Sequence, residues 1–141
     1  EHVKFHSYKN SSGIDGWLSN KGVLYFRADG MNFANTHTQS EDLCYCDMDY
    51  KNNPSITKRQ IKEILYNSPF GREFILMGDL NNTFASQILN IKKNNSEYTF
   101  IDDKKCYDYI VSLSNENYVS NVSVLKIQNN PSDHYPLVGF V

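Results

Sequence analysis

No run of about 18 apolar residues occurs in this chain, so no helix long enough to cross a bilayer is expected. A charged-then-apolar leader of the signal-peptide kind is absent too. The chain begins at Glu1 without a methionine, and the expectation is an upstream piece removed by processing or left out of this sequence. Positive charge is scarce: the formal net charge is -2, and no basic cluster exceeds Lys58-Arg59 or Lys104-Lys105. That removes the electrostatic footprint of a dedicated nucleic-acid binder. Cysteine is limited to Cys44, Cys46 and Cys106. An odd number leaves at least one unpaired, Cys-x-Cys is too close for an unstrained disulfide, and the spacing fits no zinc template. Internal repeats, low-complexity tracts and linkers are lacking as well, which points to a single domain over 1–141.

What remains is enough for a core: 40% hydrophobic residues, with 10 Tyr and 8 Phe. The most informative stretch is Phe74-Ile75-Leu76-Met77-Gly78-Asp79-Leu80-Asn81-Asn82. Its apolar run is too short for a typical helix and reads as a buried strand that ends at a glycine, a carboxylate and an amide. On an extended segment Asp79 and Asn81, two residues apart, would point the same way and converge on one phosphate, water or hard cation. Alone, the motif is equally well read as a turn, because Gly, Asp and Asn are common turn residues.

The elements around it follow from pattern. Val3, Phe5 and Tyr8 mark a weak strand, and Asn10 to Gly16 a polar loop. Val23 to Arg27, the Asp29-Gly30 turn and Met31 to Thr36 predict a hairpin whose second strand ends at His37. Thr38 to Asn53 reads as a long acidic surface loop, with no EF-hand spacing to favour calcium. A helix follows, opened by Pro54-Ser55 with Ser55 as cap, carrying Ile61, Ile64 and Leu65 on one face and ended by Ser68-Pro69-Phe70-Gly71. Phe84, Ile88 and Ile91 at i, i+4 and i+7 predict a short helix beneath the central strand end. After a polar break at Lys92 to Ser96, strands are expected at Tyr98 to Ile101, Tyr107 to Ser112 and a bulged Tyr118 to Ile127. A tight connection at Gln128 to Pro131 leads to a final buried strand, Leu137 to Val141.

Four strand ends then carry polar groups: His37; Asp79 with Asn81; Asp108; and Asp133 with His134. Hydrolysis of a phosphodiester needs a base for water, a partner for the leaving oxygen and positive charge on the non-bridging oxygens. Two histidines, three carboxylates and an amide are suitable parts. A histidine base works best with its other ring nitrogen held by a carboxylate, and Asp108 is the natural residue to hold His134. Taken singly, His37 reads as a satisfied polar residue and Ser132-Asp133-His134 as a turn. Asp108 inside an apolar strand is different, because an unpaired charge there costs several kcal/mol and demands a partner.

The order His37, Gly78-Asp79-Leu80-Asn81, Asp108-Tyr109-Ile110 and Ser132-Asp133-His134-Tyr135-Pro136 resembles the endonuclease/exonuclease/phosphatase (DNase I-like) superfamily. Leu18 to Arg27, Asn35 to Cys44, the Arg59 to Ile64 helix and the closing motifs resemble its sphingomyelinase C (neutral sphingomyelinase) branch from about Trp17 to Val141. Thr36-His37-Thr38-Gln39 followed by an acidic pair and Cys44 is the most specific part. The resemblance implies an α/β (α+β) fold, the DNase I-like four-layer α/β/β/α sandwich, of which these residues supply mainly the C-terminal half. It implies a magnesium-dependent phosphodiester hydrolase acting on a phospholipid, with sphingomyelin as substrate, peripheral membrane contact and secretion. His134 would be the general base, Asp108 its orienting partner, and His37 the group that assists the leaving oxygen or the pentavalent phosphate. Asp79 and Asn81 would position water and phosphate beside Mg2+, with Asp133 in support, all three as secondary or water-mediated ligands. Arg59 and Gln60 match a structural helix signature.

This sequence departs from that pattern in three ways. The family's principal magnesium ligands, an Asn and a Glu, belong to an N-terminal half with no counterpart here, so catalysis is expected to be complete only in a longer chain. The cysteine that pairs with the equivalent of Cys44 in secreted members has no match near Ser12. The aromatic membrane hairpin is replaced by a short Ser112 to Ser132 stretch whose one aromatic is Tyr118. Such a half sandwich is expected to leave an apolar sheet face uncovered. The alternatives are a DNase I-like nuclease and a non-catalytic remnant of the fold.

Overall fold

The computed structural model describes residues 3–11, 19–40, 56–91, 97–102, 104–114 and 118–141. The acidic loop beyond Ser40, the Ser55 cap, the Lys92 to Ser96 break, Trp17, Cys44 and Cys46 lie outside them. Five strands form one sheet in chain order: β1 (Val3–Ser7), β2 (Gly22–Ala28), β3 (Met31–His37), β4 (Ile75–Asp79) and β5 (Asp108–Ser112). All neighbours are antiparallel except β3 and β4. That parallel pair needs a crossover, which contains helix α1 (Ile56–Tyr66). A second short helix, α2 (Ala85–Leu89), follows β4. Strands β6 (Ser120–Val124) and β7 (Leu137–Phe140) pair separately, with the expected irregularity between Ser120 and Ser123.

The hairpin forms where the sequence places it. Asp29 and Gly30 have φ of 49° and 81°, the two positive values that a tight type I′ turn demands. Side chains alternate across each strand, so Tyr25, Ala34, Leu76 and Val111, aligned by register, form one buried row facing the helices. Ile61 and Ile64 of α1 meet this row and are fully buried, and the Tyr25 hydroxyl donates to the Ile64 carbonyl at 2.6 Å.

Helix α1 also buries polar residues, which tie loops to it. Gln60 donates to the Asn10 carbonyl at 2.6 Å and accepts from the Gln39 amide at 2.8 Å. Glu63 accepts from the amides of Lys9 (2.9 Å) and Asn10 (3.1 Å), from the Asn10 side chain and from His6 (3.2 Å). The structural role expected of Gln60 is therefore a double strap, fastening the segment after β1 and the segment after β3 to one helix.

Three expectations need correction. Phe84 is 60% exposed and precedes α2, whose buried residues are Ala85 and Leu89, with Ile88 and Ile91 only partly covered. Tyr98 to Ile101 is not a strand: Phe100 alone makes isolated bridges, to Lys105 and to His134. The last strand is not buried: β7 pairs with β6 alone, also touches β5, and leaves Phe140 62% exposed.

Candidate active site

Register places three polar side chains side by side. His37 pairs with Asp79 across β3 and β4, and Asp79 pairs with Asp108 across β4 and β5. Each lies three residues from the buried row of Ala34, Leu76 and Val111, an odd step, so all three project from the face opposite the one that packs on α1. Close approach of β3 and β4 at this level depends on Gly78. Its φ is +126°, and a Cβ there would lie 1.9 Å from the Thr36 carbonyl oxygen.

The fourth group arrives from the segment before β7. His134 Nδ1 and Asp108 Oδ2 lie 2.7 Å apart, which assigns the proton to Nδ1 as donor and leaves the Nε2 lone pair free to accept. Nε2 lies 3.8 Å from Asp79 Oδ2, and His37 Nε2 lies 3.6 Å from that same oxygen. Two imidazoles far apart in sequence thus converge on one carboxylate oxygen. Backbone bonds on both sides of His134 fix it: Ile101 N donates to Asp133 O at 2.9 Å, and Tyr135 N to Thr99 O at 2.8 Å. Ser132 Oγ accepts from His134 N at 3.1 Å, Asn130 Nδ2 donates to the His134 carbonyl at 2.6 Å, and the Phe100 ring packs edge-on at 5.0 Å.

This chain shares the fold of sphingomyelinase C. It superimposes on the crystal structure of sphingomyelinase C from Streptomyces griseocarneus with a TM-score of 0.63 at 19% identity, covering 98% of this chain and 63% of that one. SmcL gives 0.66 at 21% identity, with 98% and 64% covered. A beta toxin variant from Staphylococcus aureus with bound magnesium ions gives 0.70 at 23%, with 96% and 62% covered. The chain therefore spans less than two thirds of the structures it matches. No family model and no curated protein matches the sequence. At these identities the likeness is one of fold, and the mixed α+β architecture expected from the sequence agrees with it.

Within that sphingomyelinase fold the site differs from the sequence reading at two residues. Asn81 is not on an extended segment: the strand stops at Asp79, and Asn81 turns into the left-handed region with φ 44°. Its amide donates to Asp79 Oδ1 at 2.7 Å and its Nδ2 to Thr38 O at 3.0 Å. It braces Asp79 from behind instead of standing parallel to it. Asp133 is exposed, with Oδ1 3.4 Å from Ser132 Oγ. Among the described residues, the groups close enough to share an ion are Asp79, Asp108 and His134, with one donor atom from each inside a mutual 4.8 Å; Asp133 is not in that set.

Electrostatics follow from this crowding. Burial pushes the Asp79 carboxyl above the usual carboxylate range. The Asn81 amide pulls it back, Asp108 repulsion raises it further, and attraction to His37 and His134 only partly offsets the rise. For His134 burial acts downward, but the Asp108 hydrogen bond and charge outweigh it, with help from Asp79 and Asp133, and hold the imidazole above its ordinary value. Sequence pattern had no means of singling out Thr99 or Asn130, whose contributions are hydrogen bonds set by tertiary contact. Ser132 was open to prediction, since a serine two residues before a histidine can cap its amide.

Proposed function

We propose that this chain belongs to a magnesium-dependent phosphodiester hydrolase of the sphingomyelinase C type, acting on a phospholipid at a membrane surface, with sphingomyelin as the substrate. One observation carries the reading: Asp108 holds His134 through Nδ1 while Nε2 and the His37 imidazole approach the same Asp79 oxygen. His134 then takes a proton from the attacking water at Nε2, and Asp108 offsets the positive charge that the ring acquires. Asp79 orients that water, braced by Asn81. His37, whose side chain is 62% exposed and whose Nε2 lies 3.6 Å from Asp79 Oδ2, assists the leaving oxygen or the phosphate. The Asp133 carboxylate adds its charge near His134, and its carbonyl accepts the Ile101 amide.

The residues present fit a hard cation in part. Asp79 is a crowded carboxylate whose ionised form an adjacent cation would favour, whereas Asp108 Oδ2 is engaged with His134. Magnesium usually takes one or two carboxylates and keeps several waters, so Asp79 would hold it jointly with the Asn and Glu expected outside this stretch. When bound, it supplies positive charge to the non-bridging phosphate oxygens. Among the described residues no helix is long and apolar enough to cross a membrane.

The test compares sphingomyelin and plasmid DNA as substrates, with magnesium, for the full translation product of the coding sequence. Sphingomyelin turnover that falls roughly 10²- to 10⁴-fold in His134→Ala, with the fold intact, is the expected result. Turnover of DNA alone would favour a nuclease, and retained turnover in the variant would remove His134 from the mechanism.

A further inference from the structure

We propose that Thr99 is the positioning residue that sets Asp108 against His134. This rests on the hydrolase reading only for its catalytic consequence, since the positioning itself is a matter of hydrogen bonds. Thr99 is completely buried, and its Oγ1 accepts two backbone protons, from Tyr107 N at 3.0 Å and from Asp108 N at 3.1 Å. Its carbonyl accepts from Tyr135 N at 2.8 Å, the residue immediately after His134. Its own amide donates to Lys105 O at 2.9 Å, closing the turn that leads into β5. One residue therefore grips the backbone of the acid and of the base at once.

The arrangement matters because both partners stand at the margins of regular structure. Asp108 is the first residue of β5, where its amide faces away from the strand ladder, and His134 precedes β7 in a segment joined to the rest by isolated bonds. The Asp108–His134 bond spans 26 positions and needs both main chains fixed to a fraction of an ångström. The neighbouring links run through the same short segment: Ile101 N to Asp133 O, and the Phe100 ring against the His134 ring. The Thr99 hydroxyl takes the Asp108 amide, whereas the Cys106 thiol reaches the Asp108 carbonyl at 3.7 Å. A valine has the same shape and neither accepts nor donates, so it leaves two partly buried amides without that acceptor.

The experiment uses Thr99→Val and Thr99→Ser with two readouts. The first is the proton resonance of His134 Nδ1–H, shifted far downfield by its bond to Asp108 and assigned by its loss in His134→Ala. The second is steady-state kinetics on the phosphodiester substrate. Thr99→Val should lose or weaken the downfield resonance and lower kcat about 10- to 100-fold with little change in KM. Thr99→Ser, which keeps the hydroxyl, should restore both. A Thr99→Val protein that is merely less stable, with the resonance and kcat of the parent, would overturn the proposal, as would a Thr99→Ser protein that behaves like the valine variant. Should Thr99→Val fail to fold, Thr99→Ala, with room for a water at the two amides but no fixed acceptor, carries the test with the same outcomes. The resonance needs no substrate: if it responds as stated while the parent turns over no phosphodiester, the positioning role stands and the hydrolase reading falls.

Discussion

Replacing Gly78 by alanine probes the backbone contact on which the site's geometry depends. The new Cβ would meet three backbone atoms of Thr36: the carbonyl oxygen at 1.9 Å, the carbonyl carbon at 2.9 Å and the nitrogen at 3.1 Å. None of these can swing aside as a side-chain tip could, so β3 and β4 must part by about 1.5 Å to reach ordinary contact. Two costs follow. Holding a non-glycine residue at φ +126° is worth about 1–3 kcal/mol. Forcing apart a packed strand pair adds about 1–3 kcal/mol. Their sum, roughly 2–6 kcal/mol, is a large share of the ~5–15 kcal/mol that stabilises a typical domain. Gly71 is the control: its φ is +60° and a Cβ there meets nothing within 4 Å. Gly71→Ala should cost only the left-handed backbone term, about 1–2 kcal/mol. Urea unfolding of both variants, read as midpoint and slope, gives the comparison. Because His37 and Asp79 sit one residue beyond Thr36 and Gly78, Gly78→Ala should also weaken catalysis, and Gly71→Ala should not. A Gly78→Ala protein as stable as Gly71→Ala would refute the argument from close approach.

Three further outcomes follow from the same structure. Asp108→Asn should lower phosphodiester turnover about 10²- to 10⁴-fold; and since catalysis needs neutral His134, whose pKa is raised mainly by Asp108 against burial, with Asp79 and Asp133 adding to it, the acid limb of the parent's pH profile should lie above the ordinary histidine value and move down in the variant. Asp79→Asn should stabilise the fold at neutral pH while abolishing activity: burial raises the Asp79 pKa, so the folded state favours the protonated carboxyl, that contribution is lost as pH rises through the folded pKa, and the variant's advantage in thermal midpoint should shrink in acid. Glu63→Gln should cost about 1–3 kcal/mol at neutral pH by weakening hydrogen bonds to the charged carboxylate; burial raises the Glu63 pKa but bonds from Lys9, Asn10 and His6 lower it overall, so this stability is present above the unfolded value, falls away as pH drops through the folded pKa, and a urea series across that range should show parent and variant converging.

Much of the architecture was legible because local signals and tertiary demands coincided. The Asp29-Gly30 turn carries the two positive φ values its hairpin needs, and the apolar run ending at Gly78-Asp79 is a strand in the interior of the sheet. Other segments misled for physical reasons. Tyr98 to Ile101 has strand-like residues, yet Thr99 spends its hydroxyl and carbonyl on Asp108 and Tyr135, which leaves no continuous ladder. Leu137 to Val141 is apolar throughout and still half open, because hydrophobicity records what a segment could bury and not whether a covering layer is present. The two-residue spacing of Asp79 and Asn81 predicts an extended Asn81 but carries no information about φ, which folding sets at 44°.

The order of residues along the chain carries one demand that folding meets: a carboxylate inside an apolar strand needs a partner, and His134 is hydrogen-bonded to Asp108 at 2.7 Å. Which atoms meet was decided by folding alone. Strand register aligns His37, Asp79 and Asp108, and a distant segment lowers His134 onto them through bonds to Thr99 and Ile101. Register and docking are set by the summed packing of the whole sheet against its helices, a long-range property that no stretch of residues encodes by itself.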